Sequence, residues 1–334
     1  MADIDIKQEA LDNISAQDEI ITASRSLRYR GRLRQIPIYL GKNFRMFIFQ
    51  NDWKVIPMAA VISLIVVAVI KGNFNIDMEG TLKGGLALTC ICLWNGFFNS
   101  IQVVCRERNI VKREHRSGMH ISSYIIAHMI YQLFLCVLQT ITIMVVLLTR
   151  KLHMPSFGII TDSFLLDFFI TLLLITYCAD MLSLLISSIV HSTTAAMTIM
   201  PLILMIQLIF SGGIFALPKG MDGVKNLMLS SHGMAAICAE AKYNDLPSVT
   251  GWKMLKKAAN AEDADPQIKQ FVENAEATGQ DKLINKKMAK TNVRPSFEST
   301  RMNITIRWWI LVIFSFMFAL AAVIFLERID KDKR

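Results

Sequence analysis

Charge is what this 334-residue chain is short of. Asp, Glu, Lys and Arg make up 19% of it and hydrophobic residues 53%, whereas a soluble domain carries about 25% charged residues. The deficit argues against an ordinary soluble domain and for an all-α polytopic membrane protein. No G-x-x-x-x-G-K-[ST] stretch occurs, so the chain has no loop of the kind whose backbone amides cradle nucleotide phosphates. No H-E-x-x-H occurs, the six histidines are scattered, and no Ser/His/Asp order stands out. No catalytic residue, no metal site and no cofactor bound by this chain is therefore expected. Cys90, Cys92, Cys105, Cys136 and Cys178 fall in or beside apolar runs, where a thiol behaves as a small hydrophobe. Only Cys238 lies outside them, so neither a zinc spacing nor an intramolecular external disulfide is expected. The first 24 residues hold no apolar stretch, and no secretory leader is expected there. No internal repeat or low-complexity tract is visible.

What the chain does have is a series of apolar runs near the ~20 residues that cross a bilayer. Six spans are expected, at 55–70, 82–104, 121–148, 159–190, 194–210 and 306–325. The first is short but bracketed by Lys54 and Lys71, whose stems can snorkel. The fourth is overlong, so its outer end is expected to rise above the bilayer. Trp308 and Trp309 would anchor the sixth at the interface. Residues 1–24 read as a flexible acidic tail. Arg25, Arg28, Arg30, Arg32 and Arg34 then reverse the sign, and Pro37 suits a first helical turn. Leu40, Phe44, Phe47 and Ile48 recur at helical spacing opposite Lys42, Asn43 and Arg45. Segment 25–54 thus reads as basic residues leading into an amphipathic helix in the membrane interface.

The densest charge lies at 106–116, within RERNIVKREHRSGMHISSYIIA. Each charge would cost roughly 2.5–3.5 kcal/mol at the bilayer centre on insertion scales, so 105–120 is expected to be a short loop between spans two and three. Its Arg and Lys excess places it in the cytoplasm. Six spans then put both termini, including the tail 327–334, on that same side, and the segment 218–305 outside. That long segment is mixed in charge and helical in pattern, for example at 267–275. The net charge of +9 fits cytoplasmic stretches held against anionic headgroups; membrane lipids rather than nucleic acid are the expected partners.

Few polar residues interrupt the spans. Asp180 is the one acidic residue well inside an apolar run, and intramembrane carboxylates pair or function; both a conformational role and a structural hydrogen bond stay open. Asn95 and Asn99 share a face of the second span, with Gln102 beyond them. Such a stripe lines either a cavity or a helix contact.

The run from Glu107 through Arg113-Glu114, Ser117-Gly118 and Ser122-Ser123-Tyr124 resembles the loop and third-span entry of the G-type ABC exporters, a branch of the ABC type-2 permeases. Segment 184–215, with Pro201 and then Phe210-Ser211-Gly212-Gly213-Ile214-Phe215, resembles that family's fifth span and its end. Ser231-His232-Gly233-Met234-Ala235-Ala236 is similar to the segment before the family's external helices. The sequence departs from the family in carrying no ATPase domain, in lacking the external cysteine set and in having Gly213-Ile214 where a large apolar pair stands.

The resemblance implies a dimer of six-span domains (55–326), paired with itself or a homologous permease, each with a cytoplasmic ATP-binding subunit that carries the ATP and Mg. Leu40, Phe44, Phe47 and Ile48 would belong to a connecting helix. Glu107, Arg113, Glu114, Arg116, Ser117, Gly118 and Tyr124 would couple to the ATPase. Asn95, Asn99, Thr198, Met205 and Phe210 would line a substrate cavity between the second and fifth spans of two protomers, and Gly212, Gly213 and Ile214 its external gate. The function implied is export of a hydrophobic or amphipathic substrate (lipid, peptide or drug) across the plasma membrane, with a bacterial cytoplasmic membrane expected. A lipid-linked polysaccharide exporter, or a membrane enzyme or sensor module, are the alternatives.

Overall fold

The structure, a computed structural model, describes residues 31–49, 52–70, 74–150, 153–155, 157–213, 220, 222–260, 266–278, 280, 285–287, 289–290 and 292–328. The acidic tail, Arg25, Arg28, Arg30, Ile214 and the last six residues lie outside them. The described residues form helices α1 Arg32–Phe49, α2 Val55–Ile70, α3 Met78–Ser100, α4 Val103–Arg116, α5 Ile121–Thr149, α6 Phe164–Ile189, α7 Thr193–Ile209, α8 Asp222–Leu227, α9 Leu229–Glu240, α10 Thr250–Ala259, α11 Pro266–Ala277 and α12 Arg301–Leu326, with short 3-10 turns between some of them. Four helical stretches are long and apolar enough to cross a membrane: 78–116, α5, α6 and α12. The chain is a multi-pass membrane protein. The apolar helices α2 and α7 are shorter. At 1.5 Å per residue α2 reaches about 24 Å, against a hydrocarbon core of about 30 Å.

Helix α6 is the centre of the bundle, packing on α3, α12, α5 and α9. Its Phe168, Leu172 and Ile175 meet Leu88, Ile91 and Phe97 of α3 in the main apolar cluster. Between lipid-embedded helices close packing, not water exclusion, drives association. Gly96 permits it: a side-chain carbon there would overlap the Thr176 carbonyl and sit 2.8 Å from the Asp180 amide. Hydroxyl residues survive in these helices by bonding one turn back, as Thr89 does to Gly85, Thr140 to Cys136 and Thr176 to Leu172.

The structure redraws several expected boundaries. The charged segment is not a loop: α4 continues the line of α3 after a break at Ile101–Gln102. Only the residues after Arg116 turn, with Gly118 at φ +99°. Pro37 lies inside α1 rather than in its first turn, because α1 begins at Arg32. The fourth span begins at Phe164, not at 159. There the Asp167 carboxylate accepts the amides of Ile159, Ile160 and Thr161 at 2.9–3.3 Å, folding that stretch back over the helix N-terminus, where an acid is favoured.

Helix α9 was legible only as a motif. All twelve of its residues are buried. It is wedged among α3, α6 and α12, at the end of the bundle opposite α4. His232 bonds the Asn226 carbonyl at 2.8 Å and Arg307 at 2.9 Å. Glu240 accepts from Thr171, which also takes the Trp308 indole N–H at 2.7 Å. Cys238 is fully buried here.

Candidate functional site

At the charged end of the bundle α1 lies along α5. Gln35 and Asn43, polar residues, are the buried ones, while Leu33, Ile38, Ile48 and Phe49 are exposed. The reason is that α5 and α4 offer polar partners. Gln35 donates to the Gly118 carbonyl at 3.1 Å and accepts the His120 amide at 2.9 Å. The Ser123 hydroxyl donates to the Arg32 carbonyl at 2.8 Å. Lys42 pairs with Glu107 at 2.9 Å. Of the expected connecting-helix residues, Phe44 packs on Tyr131 and Phe134, and Phe47 on Phe134. Leu40 is half-buried and Ile48 faces away from the protein.

Helix α4 has two unlike faces. Val104, Glu107 and Val111 are buried against the bundle. Arg106, Asn109, Ile110, Arg113, Arg116 and Ser117 are exposed, at spacings of three and four that make one stripe. The expected coupling residues therefore divide. Arg113, Arg116 and Ser117 stand on the surface. Glu107 and Glu114 turn inward. Glu107 holds Lys42 and accepts from the Tyr124 hydroxyl at 3.4 Å, joining three helices. Glu114 faces Tyr39, whose hydroxyl is pushed up to about 12 by burial and then by that carboxylate. Tyr39 in turn meets Tyr124 edge-on at 5.9 Å. Arg108 fastens α4 to the end of α6 through the Ser188 carbonyl at 3.0 Å.

Asp180 sits at the middle of a buried polar cluster. It accepts from Ser100, and from Asn99 and Cys136 at 3.4 Å each. Asn99 and Gln139 exchange two bonds of 2.9 Å. The cluster thus pins α3, α5 and α6 together. Asp180→Asn should keep most of these bonds, whereas Asp180→Leu leaves Ser100 and Asn99 short of an acceptor. In membranes such bonds average about 0.6 kcal/mol and reach about 1.7, so the leucine variant is expected to melt clearly below the asparagine one. Equal melting temperatures in detergent would refute the pinning role.

Within one protomer the expected substrate-cavity residues do not form a single lining. Asn95 is buried inside the protomer and Asn99 is committed to the Asp180 cluster. Thr198 and Met205 lie on the other side of the story, on an exposed face of α7 with Thr194, Leu202 and Ile209. Phe210 is half-buried at the helix end. For Asn99 the reason is that it finds hydrogen-bond partners, Gln139 and Asp180, within its own protomer. Gly212 has φ +76° and its carbonyl accepts from Arg294 at 2.8 Å; Gly213 packs on Met234. Among the described residues no cluster of three or more His, Cys, Asp or Glu could hold a metal ion.

A family model described as ABC-2 type transporter matches residues 35–231, more than half of the chain. No curated protein matches it closely enough to count as a relative.

Proposed function

Because the chain belongs to the ABC-2 type transporter family, we propose that it is the permease subunit of an ATP-driven exporter. It works as a dimer with a cytoplasmic ATP-binding subunit that carries ATP and Mg. Its cargo is hydrophobic or amphipathic, and its place is a bacterial cytoplasmic membrane. In this reading the spans number six, α2 and α7 included, and both termini are cytoplasmic.

The observation that carries the reading is the two-faced helix α4. One face is stapled to α1, α5 and α6, and the other presents Arg106, Arg113 and Arg116 around Ile110. A push on such a helix is transmitted to the bundle, because its inner face cannot slide without breaking charged bonds. The surface stripe suits a groove that is acidic with an apolar floor. Met205 and Thr198, on the unpartnered face of α7, mark the seam between two copies. Gly212 and Gly213 mark its outer end.

Capture of the tagged full chain from gently solubilised membranes should bring down a P-loop ATPase in stoichiometric amount. In the same membranes Met205→Cys should crosslink between copies. Recovery of the chain without any ATPase overturns the permease reading. Crosslinks at α6 sites but never at Met205, in any nucleotide state, move the seam elsewhere.

A further inference from the structure

Helix α9 is held from two sides by one histidine. Each ring nitrogen of His232 has a partner of a different kind. Nε2 lies 2.8 Å from the Asn226 carbonyl of α8; a carbonyl only accepts, so Nε2 carries the proton. Nδ1 lies 2.9 Å from a guanidinium nitrogen of Arg307 on α12; a guanidinium only donates, so Nδ1 is a bare acceptor. One neutral tautomer satisfies both partners. The imidazolium, a donor at both nitrogens, satisfies only Asn226. The ring also stands edge-on to Phe314 at 5.8 Å, and His232 is 3% exposed, too little for water to stand in for a lost partner.

The surroundings keep the ring neutral. Burial lowers the imidazole below its ordinary 6.5; the Asn226 bond opposes this, and the charges of Arg307 and then Lys225 of α8 add to it. Among the described residues no carboxylate acts on the ring. The other elements packed on α9 turn their charges elsewhere. Asp167 of α6 acts on Glu240. Glu79 of α3 accepts from Ser248 at 2.7 Å, and Lys83, Lys242 and Asp245 are exposed. Helix α7 has no charged residue, and Arg294, ahead of the 295–297 turn, donates to the Gly212 carbonyl. On α9 itself, burial pushes the Glu240 carboxyl up to about 8, so it stays protonated throughout the acid range.

We propose that α9 is an acid-sensitive latch: a proton added at Nδ1 of His232 removes the acceptor for Arg307, sets two cations against each other, and loosens α9 from α12 and from the end of α7. The second release follows because α9 also carries the contacts that hold that end. The Ser230 hydroxyl donates to the Gln207 carbonyl, and the Ser230 amide donates to Gln207 Oε1 at 3.3 Å. Met234 lies against Gly213. Because the ring titrates lower in the latched arrangement than when exposed, the latch is complete above pH ~6.5 and weakens as pH falls toward the lowered value. It lies at the end of the bundle opposite α4, the outer end in the proposed topology, so the outer medium supplies the proton. The pH response itself needs neither an ATPase partner nor a transport direction, and it stands or falls apart from the permease reading.

The test is amide hydrogen exchange on the purified full-length chain in detergent, at about pH 7.5 and about pH 5, each rate divided by the intrinsic rate at that pH. Opening of α9 should rise several-fold between the two. An exposed histidine near 6.5, unable to take a proton while latched, sets the ceiling at about thirtyfold. The rise should be confined to α9 and the adjoining end of α7. His232→Gln keeps a donor and an acceptor but does not titrate, and should abolish it. Arg307→Met removes both the bond and the opposing cation; it should shrink the rise, and it carries the test where His232→Gln does not fold. No rise in wild type, an equal rise throughout α3 and α5, or a rise in either variant as large as in wild type would overturn the proposal.

Discussion

Replacing Gly96 with valine is expected to remove folded protein from the membrane. Helices α3 and α6 touch backbone to backbone at this point. A side-chain carbon on Gly96 would overlap the Thr176 carbonyl oxygen and press on the Ala179 methyl and the Asp180 amide, each 2.8 Å away. Two of these three obstacles are main chain, which cannot rotate aside as a side-chain tip can. To make room α6 must move away from α3. That movement also draws Asp180 from Ser100 and Asn99, and Ser183 from the Phe97 carbonyl, which it now meets at 2.8 Å. Overpacking a core costs about 1–3 kcal/mol and sometimes more, and here lost hydrogen bonds add to it. Native proteins hold only about 5–15 kcal/mol in all. The measurement is the yield of monodisperse protein after extraction, with its melting temperature. Gly41→Ala serves as control, since nothing lies within 4 Å of an added carbon there and alanine favours a helix by about 1 kcal/mol. Gly96→Val protein as abundant and as heat-stable as wild type would mean that the two helices are not in contact at Gly96.

The second large effect is expected at Glu107, and it is one of coupling more than of folding. Glu107 is 7% exposed. It ties Lys42 of α1 and Tyr124 of α5 to α4. Glu107→Leu strands a half-buried ammonium, and hydrogen bonds to charged groups contribute about 1.5–3 kcal/mol. The apolar bundle built on α6 does not depend on this bond, so the variant should reach the membrane. What it should lose is the rigid link between α4 and α1, and with it, in the proposed exporter, the conversion of a partner's ATP hydrolysis into transport. A double-mutant cycle with Lys42→Met and Glu107→Gln reads the bond itself. The coupling energy should exceed about 1 kcal/mol; independent sites add to within about 0.3–0.5 kcal/mol. Additive effects, or a Glu107→Leu variant that transports as well per ATP as wild type, would contradict the staple.

These two residues differ in how legible they were. Glu107 was visible as part of a charged motif, but its direction was not. A helical segment with acids and bases on every side does not declare which of them faces inward. The choice was made by Lys42 and Tyr124, distant in sequence and adjacent in space. Arg113 and Arg116 were left on the surface. Gly96 gave no sequence signal at all, since a lone glycine in an apolar run reads the same whether or not another backbone crosses it.

Composition and periodicity by themselves determined that the chain is helical and multi-pass. They also placed the apolar helices closely, because a single apolar run of this length crosses hydrocarbon as a helix, with its backbone bonded internally and few charges along it. The first apolar helix, 55–70, begins and ends where the pattern put it. The charged segment between the second and third apolar runs, and its match to a family, were legible for the same reason. Which face of α1 is buried, where Asn95 and Asn99 point, and the full burial of α9 were decided only by tertiary structure. An amphipathic pattern states which residues are apolar, not which neighbour is available. In α1 the neighbour was polar, and so Gln35 and Asn43 went inward while Ile48 stayed out. The Asn99–Gln139–Asp180 cluster arose likewise: each side chain alone is a costly intrusion into an apolar span, and only the meeting of three helices turns them into partners.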